Sequence, residues 1–139
     1  MTLAPQIPDT VAMSIDRVVH RVACRRSFSS LERDRAGLEL VKFLYLCAES
    51  DLPLAPSEII DDLWHEFILH TRDYANFCHT TLGTFVHHVP STAPDPSSYR
   101  RTLERIKVRF GIADERFWPK SGSDCETSCG SKCSTCNDG

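Results

Sequence analysis

The sequence predicts an all-α fold, a compact bundle of four to five helices with a disordered cysteine-rich C-terminal tail. Three observations predict it. Apolar residues recur at helical spacing in four separate segments, and no segment shows the two-residue alternation of a half-buried strand. From Pro119 onward there is no Val, Ile, Leu, Met or aromatic residue, so the tail has nothing to bury against chain entropy. A chain of 139 residues is long enough for one hydrophobic core and too short for two ordinary domains. The expected division is residues 1–118 as the helical domain and 119–139 as the tail.

The first helix is expected from about Thr10 to Cys24, with Asp9 or Thr10 placed to accept from its orphan amides. Val11, Ile15, Val18, Val19 and Val22 form its stripe; valines are poor helix formers, so packing must hold this segment. The second runs from about Ser30 to Ser50, opened by a capping box of Ser29 and Glu32. Leu38, Val41, Phe43, Leu44, Tyr45 and Cys47 make it apolar on more than one face, which marks the central helix. Pro53 and Pro56 punctuate a loop. The third helix starts near Pro56 or Ser57 and runs straight to about Thr80, with Ile60, Leu63, Trp64, Phe67, Thr71, Tyr74 and Cys78 on one face and Gly83 as its stop. Pro90, Pro94 and Pro96 stiffen the next loop. Asp95 or Ser97 opens a fourth helix that ends at Gly111, with Tyr99, Leu103, Ile106 and Phe110 buried. Phe117 and Trp118 are expected to dock back on the bundle.

Composition narrows the function classes. Apolar residues are 41%, charged residues 25% and the net charge is −3, values that do not point to a dedicated nucleic-acid binder. Arg100, Arg101, Arg105, Lys107 and Arg109 in the fourth helix, and Arg21, Arg25 and Arg26 in the first, read as solvated faces. The start carries no basic cluster followed by an apolar run, and the richest apolar stretch, Val41 to Ala48, is too short to span a bilayer. A cytoplasmic protein with no membrane partner is expected. Seven cysteines in a reducing compartment favour free thiols or metal ligation over disulfides.

The chemistry concentrates in the third helix and the loop after it, which hold His65, His70, His79, His87 and His88. Asp61 and His65 are four apart and stack on one flank of the apolar stripe, whereas Glu66, His70 and Asp73 fall on the other. His65 and His70 are five apart, so the metalloprotease pattern, which needs its histidines four apart, does not apply. A carboxylate that accepts from one imidazole nitrogen fixes the tautomer and frees the other nitrogen for a metal or a proton. Asp61 is expected to do this for His65, with His87 or His88 folding back beside it. Such a donor set suits zinc or iron(II). The same pair is also the ordinary surface ion pair of a helix flank.

Ile60-Asp61-Asp62-Leu63-Trp64-His65, followed by Leu69, Tyr74, Phe77 and Cys78, resembles the signature of the glycine-rich domain-containing protein-like family. Gly83, Phe85, His87, His88 and Pro90 are similar to its bacterial branch. The resemblance covers about residues 40–90. It implies a helical domain and favours Asp61, His65, Tyr74, Cys78 and His88 as site residues, without naming a reaction. Plant members often carry a second histidine where this chain has Phe67, so a metal site here would turn to His87 or His88 instead.

Cys125, Cys129, Cys133 and Cys136 have the spacing C-x3-C-x3-C-x2-C. Four thiolates so close can surround one zinc, with copper(I) as an alternative. The sequence reading is therefore a metal-associated module with two metal sites. One uses His65 and His88 with Asp61, and the other the tail. Its alternatives are an adaptor that binds a protein partner through the loop from Thr84 to Pro96, and a zinc or iron enzyme with Asp61 or Glu66 as base.

Overall fold

A computed structural model of the chain describes residues 7–89 and 95–120. Their elements are helical: α1 (Asp9–Arg26), α2 (Ser30–Glu49), α3 (Glu58–Leu69), α4 (Thr71–Phe77), a single π-helical turn (Cys78–Leu82) and α5 (Pro96–Phe110). The described residues contain no strand, and no helix among them is long and apolar enough to cross a membrane. The tail cysteines Cys125, Cys129, Cys133 and Cys136, and the prolines Pro90 and Pro94, lie outside the described residues.

Local signals set most helix ends. At α2 the Ser29 hydroxyl accepts from the Glu32 amide while the Glu32 carboxylate accepts from the Ser29 amide, a complete capping box. At α5 the Asp95 carboxylate caps the Ser97 amide and Pro96 occupies the first turn, where a missing N–H costs nothing. Gly83 and Gly111 take positive φ after the π turn and α5, a conformation open to glycine. The start of α1 departs from expectation. Neither Asp9 nor Thr10 caps it; Pro8 precedes the helix, no side-chain cap bond is made, and packing of the valine stripe holds it.

The expected straight third helix is broken. His70, at φ −85° and ψ 68°, leaves the helical region and separates α3 from α4. Residues ten apart on a straight helix lie about 15 Å apart along its axis. The break folds α4 back, so that Tyr74 meets Trp64 directly, the indole N–H donating to the tyrosine hydroxyl at 2.9 Å. Thr71, expected on the buried stripe, is exposed as a result.

α2 is the hub, packed on α1, α3, α5 and the π turn. Gly37 permits its close approach to α1: a Cβ there would come within 2.7 Å of Ile15 Cγ2. Phe43 of α2 makes an edge-on contact with Trp64 at 5.3 Å between ring centroids and a tilted one with Trp118 at 5.9 Å. Phe117 and Trp118 are buried, as expected. The Trp118 indole N–H donates to buried Glu39 at 2.8 Å, and the Ser57 hydroxyl at the start of α3 donates to the Phe117 carbonyl at 2.6 Å.

A buried carboxylate ties α1 to α3. Glu66 is 4% exposed and receives Arg21 at 2.8 Å, Arg25 at 3.1 Å and His70 at 3.4 Å. Burial pushes its carboxyl up, but the Arg25 hydrogen bond, the Arg21 charge and the hydrogen bonds from His70 and Arg21 together hold it below its ordinary value. Arg26 pairs with Asp62 at 2.6 Å on the same interface. The basic end of α1 is thus a set of ties to α3.

A carboxyl whose folded value is lowered contributes stability above its unfolded value and loses it as pH falls through the folded one. Glu66→Gln is therefore expected to cost about 1–2 kcal/mol at neutral pH, a modest figure because both arginines are half-exposed or more. The gap to wild type should close on acidification below the ordinary carboxylate range. Urea unfolding of both proteins across pH checks this; an undiminished gap in acid would assign the cost to packing.

Candidate metal site

Helix α3 starts at Ser57, whose hydroxyl accepts from the Ile60 amide at 3.3 Å. Its apolar stripe of Ile60, Leu63, Trp64 and Phe67 is buried, which leaves Asp61 and His65, one turn apart, on the flank. The π turn and Gly83 then send the chain back. Val86 is buried, His87 exposed, His88 half-buried and Val89 exposed, so His88 shares the inward side with Val86.

Tyr74 holds that return segment. Its hydroxyl accepts from Trp64 Nε1–H and donates in a short hydrogen bond to the Val86 carbonyl. Burial pushes its pKa well above the ordinary tyrosine value; the Trp64 hydrogen bond opposes this, and Cys78 and Cys47 push the same way as burial. Tyr74 is thus a neutral donor that joins α3, α4 and the loop.

Two residues past Val86, the His88 ring lies 4.3 Å from the Trp64 ring and 4.4 Å from the His65 ring, centroid to centroid. Its Nε2 is 2.7 Å from Asp61 Oδ1. An ionised carboxylate only accepts, so the ring N–H is the donor. One donor atom from each of Asp61, His65 and His88 falls within 4.8 Å of the others, and this is the one such group among the described residues. Exposure is graded across it: the His88 side chain is 13% exposed, that of Asp61 40%, and His65 is open to solvent.

The remaining candidates fall elsewhere. Asp61 is expected to hold the imidazole one turn later, but its hydrogen-bonded partner is His88 of the loop, through Nε2. His87 points away, its ring 4.6 Å from that of Phe85. Cys78 is fully buried beneath Tyr74, a packing residue and not a member of the cluster. Burial pushes the Cys47 thiol up to about 12, which leaves it an inert hydrophobe. Glu66, a base in the enzyme reading, is consumed by its arginines and His70. Trp64, read from sequence only as core, is the floor under His88 and the donor to Tyr74. Nothing in its neighbours announces that role.

A family model described as UCP032817-like matches residues 15–121, and the chain belongs to that family. No curated protein and no solved structure matches it. The match overturns the expected membership of the glycine-rich domain-containing protein-like family. That resemblance rested on the run Ile60 to His65 with Leu69, Tyr74, Phe77 and Cys78, and of these Ile60, Leu63, Trp64, Tyr74, Phe77 and Cys78 are buried here. Such positions record what a helical core needs, and unrelated chains can share them.

Tyr74→Phe leaves the Trp64 N–H and the Val86 carbonyl without their shared buried partner. It is expected to cost about 2–4 kcal/mol in urea unfolding and to speed amide exchange at residues 86–88. A loss below about 0.5 kcal/mol, within the range of ordinary surface changes, would show that the hydroxyl does not hold the loop.

Proposed function

For this member of the UCP032817-like family, we propose a small helical metal-associated module in which Asp61, His65 and His88 hold one divalent transition ion. The observation that carries this reading is the convergence of three donor atoms, from two elements, within 4.8 Å. Two imidazole nitrogens and one carboxylate oxygen suit zinc first and iron(II) second. With metal–donor distances of about 2.0–2.2 Å, tetrahedral ligands lie about 3.3–3.6 Å apart. The Asp61–His88 contact at 2.7 Å would open by about 0.6–0.9 Å as the ion replaces the shared proton, a side-chain adjustment. Trp64 lies against the His88 ring, 4.3 Å from it between centroids.

The tail cysteines Cys125, Cys129, Cys133 and Cys136 form a second, separate ion-binding segment in this reading. Free thiols at Cys24, Cys47 and Cys78 accord with a reducing, cytoplasmic location.

Elemental analysis and zinc titration of the full chain beside one ending at Lys120 separate the two sites. The shortened chain is expected to keep one equivalent. His65→Ala and His88→Ala should each weaken it by about 100-fold or more, and Asp61→Asn should do so without disturbing the helical circular dichroism. A shortened chain that holds no zinc at micromolar concentration would remove the helix site, and no metal in either chain would leave the adaptor reading in its place.

A further inference from the structure

Residues at the head of α3 line a cleft of about 440 Å³ that none of Asp61, His65 and His88 enters. Segments distant in the chain supply its other walls: Arg26 at the end of α1, Tyr99 in the first turn of α5, and Arg116 with Pro119 in the last described segment. Small-ligand sites usually enclose about 300–1,000 Å³. Two hydrogen bonds hold the walls together. The Ser57 hydroxyl donates to the Phe117 carbonyl, and the Tyr99 hydroxyl donates to the Pro119 carbonyl, each at 2.6 Å. Burial pushes the Tyr99 hydroxyl up to about 12, so it remains a neutral donor.

The lining sets opposite charges among apolar groups. Pro56, Ile59, Pro119 and the Tyr99 ring supply carbon surface. Arg26 is committed, its Nε–H donating to Asp62 at 2.6 Å. Arg116 is under-paired. Its guanidinium stands 3.5 Å from Asp114, and the same carboxylate also serves Arg35 at 3.6 Å, so one negative charge answers two positive ones. Glu58 has the converse imbalance: its exposed side chain has no hydrogen bond or ion pair with another described residue. An inorganic anion would suit Arg116 and be repelled by Glu58, and an uncharged apolar molecule would suit neither. A carbon body that carries both a carboxylate and an ammonium suits both.

We infer that this cleft binds a free amino acid with an apolar side chain, its carboxylate on Arg116, its ammonium on Glu58 and its side chain against Pro56, Ile59 and Tyr99. The site is independent of the metal reading, since it shares no residue with the ion cluster.

The full-length chain, labelled with nitrogen-15, is titrated with L-phenylalanine in the presence of EDTA, because amino acids also chelate metal ions. Amide signals of residues 57–59, 99 and 116–118 are expected to shift saturably. N-acetyl-L-phenylalanine lacks the ammonium and L-phenylalaninamide lacks the carboxylate; each should bind about threefold more weakly or worse, the scale of one exposed ion pair. Glu58→Gln should erase the preference over the acetylated form, and Arg116→Gln the preference over the amide. Both side chains are exposed, so neither change disturbs the fold. No saturable shift with L-phenylalanine, shifts confined to other residues, or equal binding of the three compounds by the unmodified chain would each overturn the inference. So would variants that keep both preferences.

Discussion

The arrangement turns on one hydroxyl group. Tyr74 accepts from the Trp64 indole and donates to the Val86 carbonyl, and so joins α3, α4 and the return segment through one buried group. A buried hydroxyl with one donor and one acceptor leaves neither neighbour unsatisfied, which is the condition for holding polar groups inside a core. Remove the break at His70 and Tyr74 cannot reach Trp64; remove the tyrosine and the loop has no buried anchor two residues before His88. The polar cluster at the surface is thus a product of packing several ångströms below it. Its inner histidine rests on the same indole whose N–H begins the chain of bonds.

Two buried carboxylates do comparable work in the rest of the bundle. Glu39 receives the Trp118 indole and Lys42, and Glu66 receives two arginines and His70. Each is isolated from water yet fully partnered, and no buried side-chain polar atom among the described residues lacks a hydrogen bond. Such ties add little net stability once desolvation is counted, but they are costly to mispair. Glu66 fixes how α1 lies on α3, and Glu39 fixes where the last folded segment enters the core.

Much of this was legible in the sequence. Ser29 with Glu32, Asp95 with Pro96, and the glycines at 83 and 111 act through bonds that span only a few residues, so local chemistry decides them. The apolar stripes of α1 and α3, and the docking of Phe117 and Trp118, follow from burial. The gathering of Asp61, His65 and His88 was legible as residue types and a loop of the right length. The break at His70 was not. No proline or glycine marks it, and the apolar period runs through it from Ile60 to Cys78. Its cause is tertiary, the pairing of side chains ten residues apart across a bend. For the same reason the partner of Asp61 was misassigned: helical spacing points to His65, whereas only the path of the loop brings His88 to the carboxylate. Glu66 looked available as a base because its arginines lie more than forty residues earlier in the chain.

The bonds from Trp118 to Glu39 and from Ser57 to Phe117 join residues 79 and 60 positions apart. Contacts of such long range form late, since a large loop must close before they reward it. As the chain leaves the ribosome, α1 to α4 emerge with the central helix still lacking its second tryptophan and the hydroxyl at the head of α3 still without its carbonyl acceptor. The core closes only after Trp118 has cleared the exit tunnel, so during synthesis the helix that carries Asp61 and His65 waits on a segment more than fifty residues behind it.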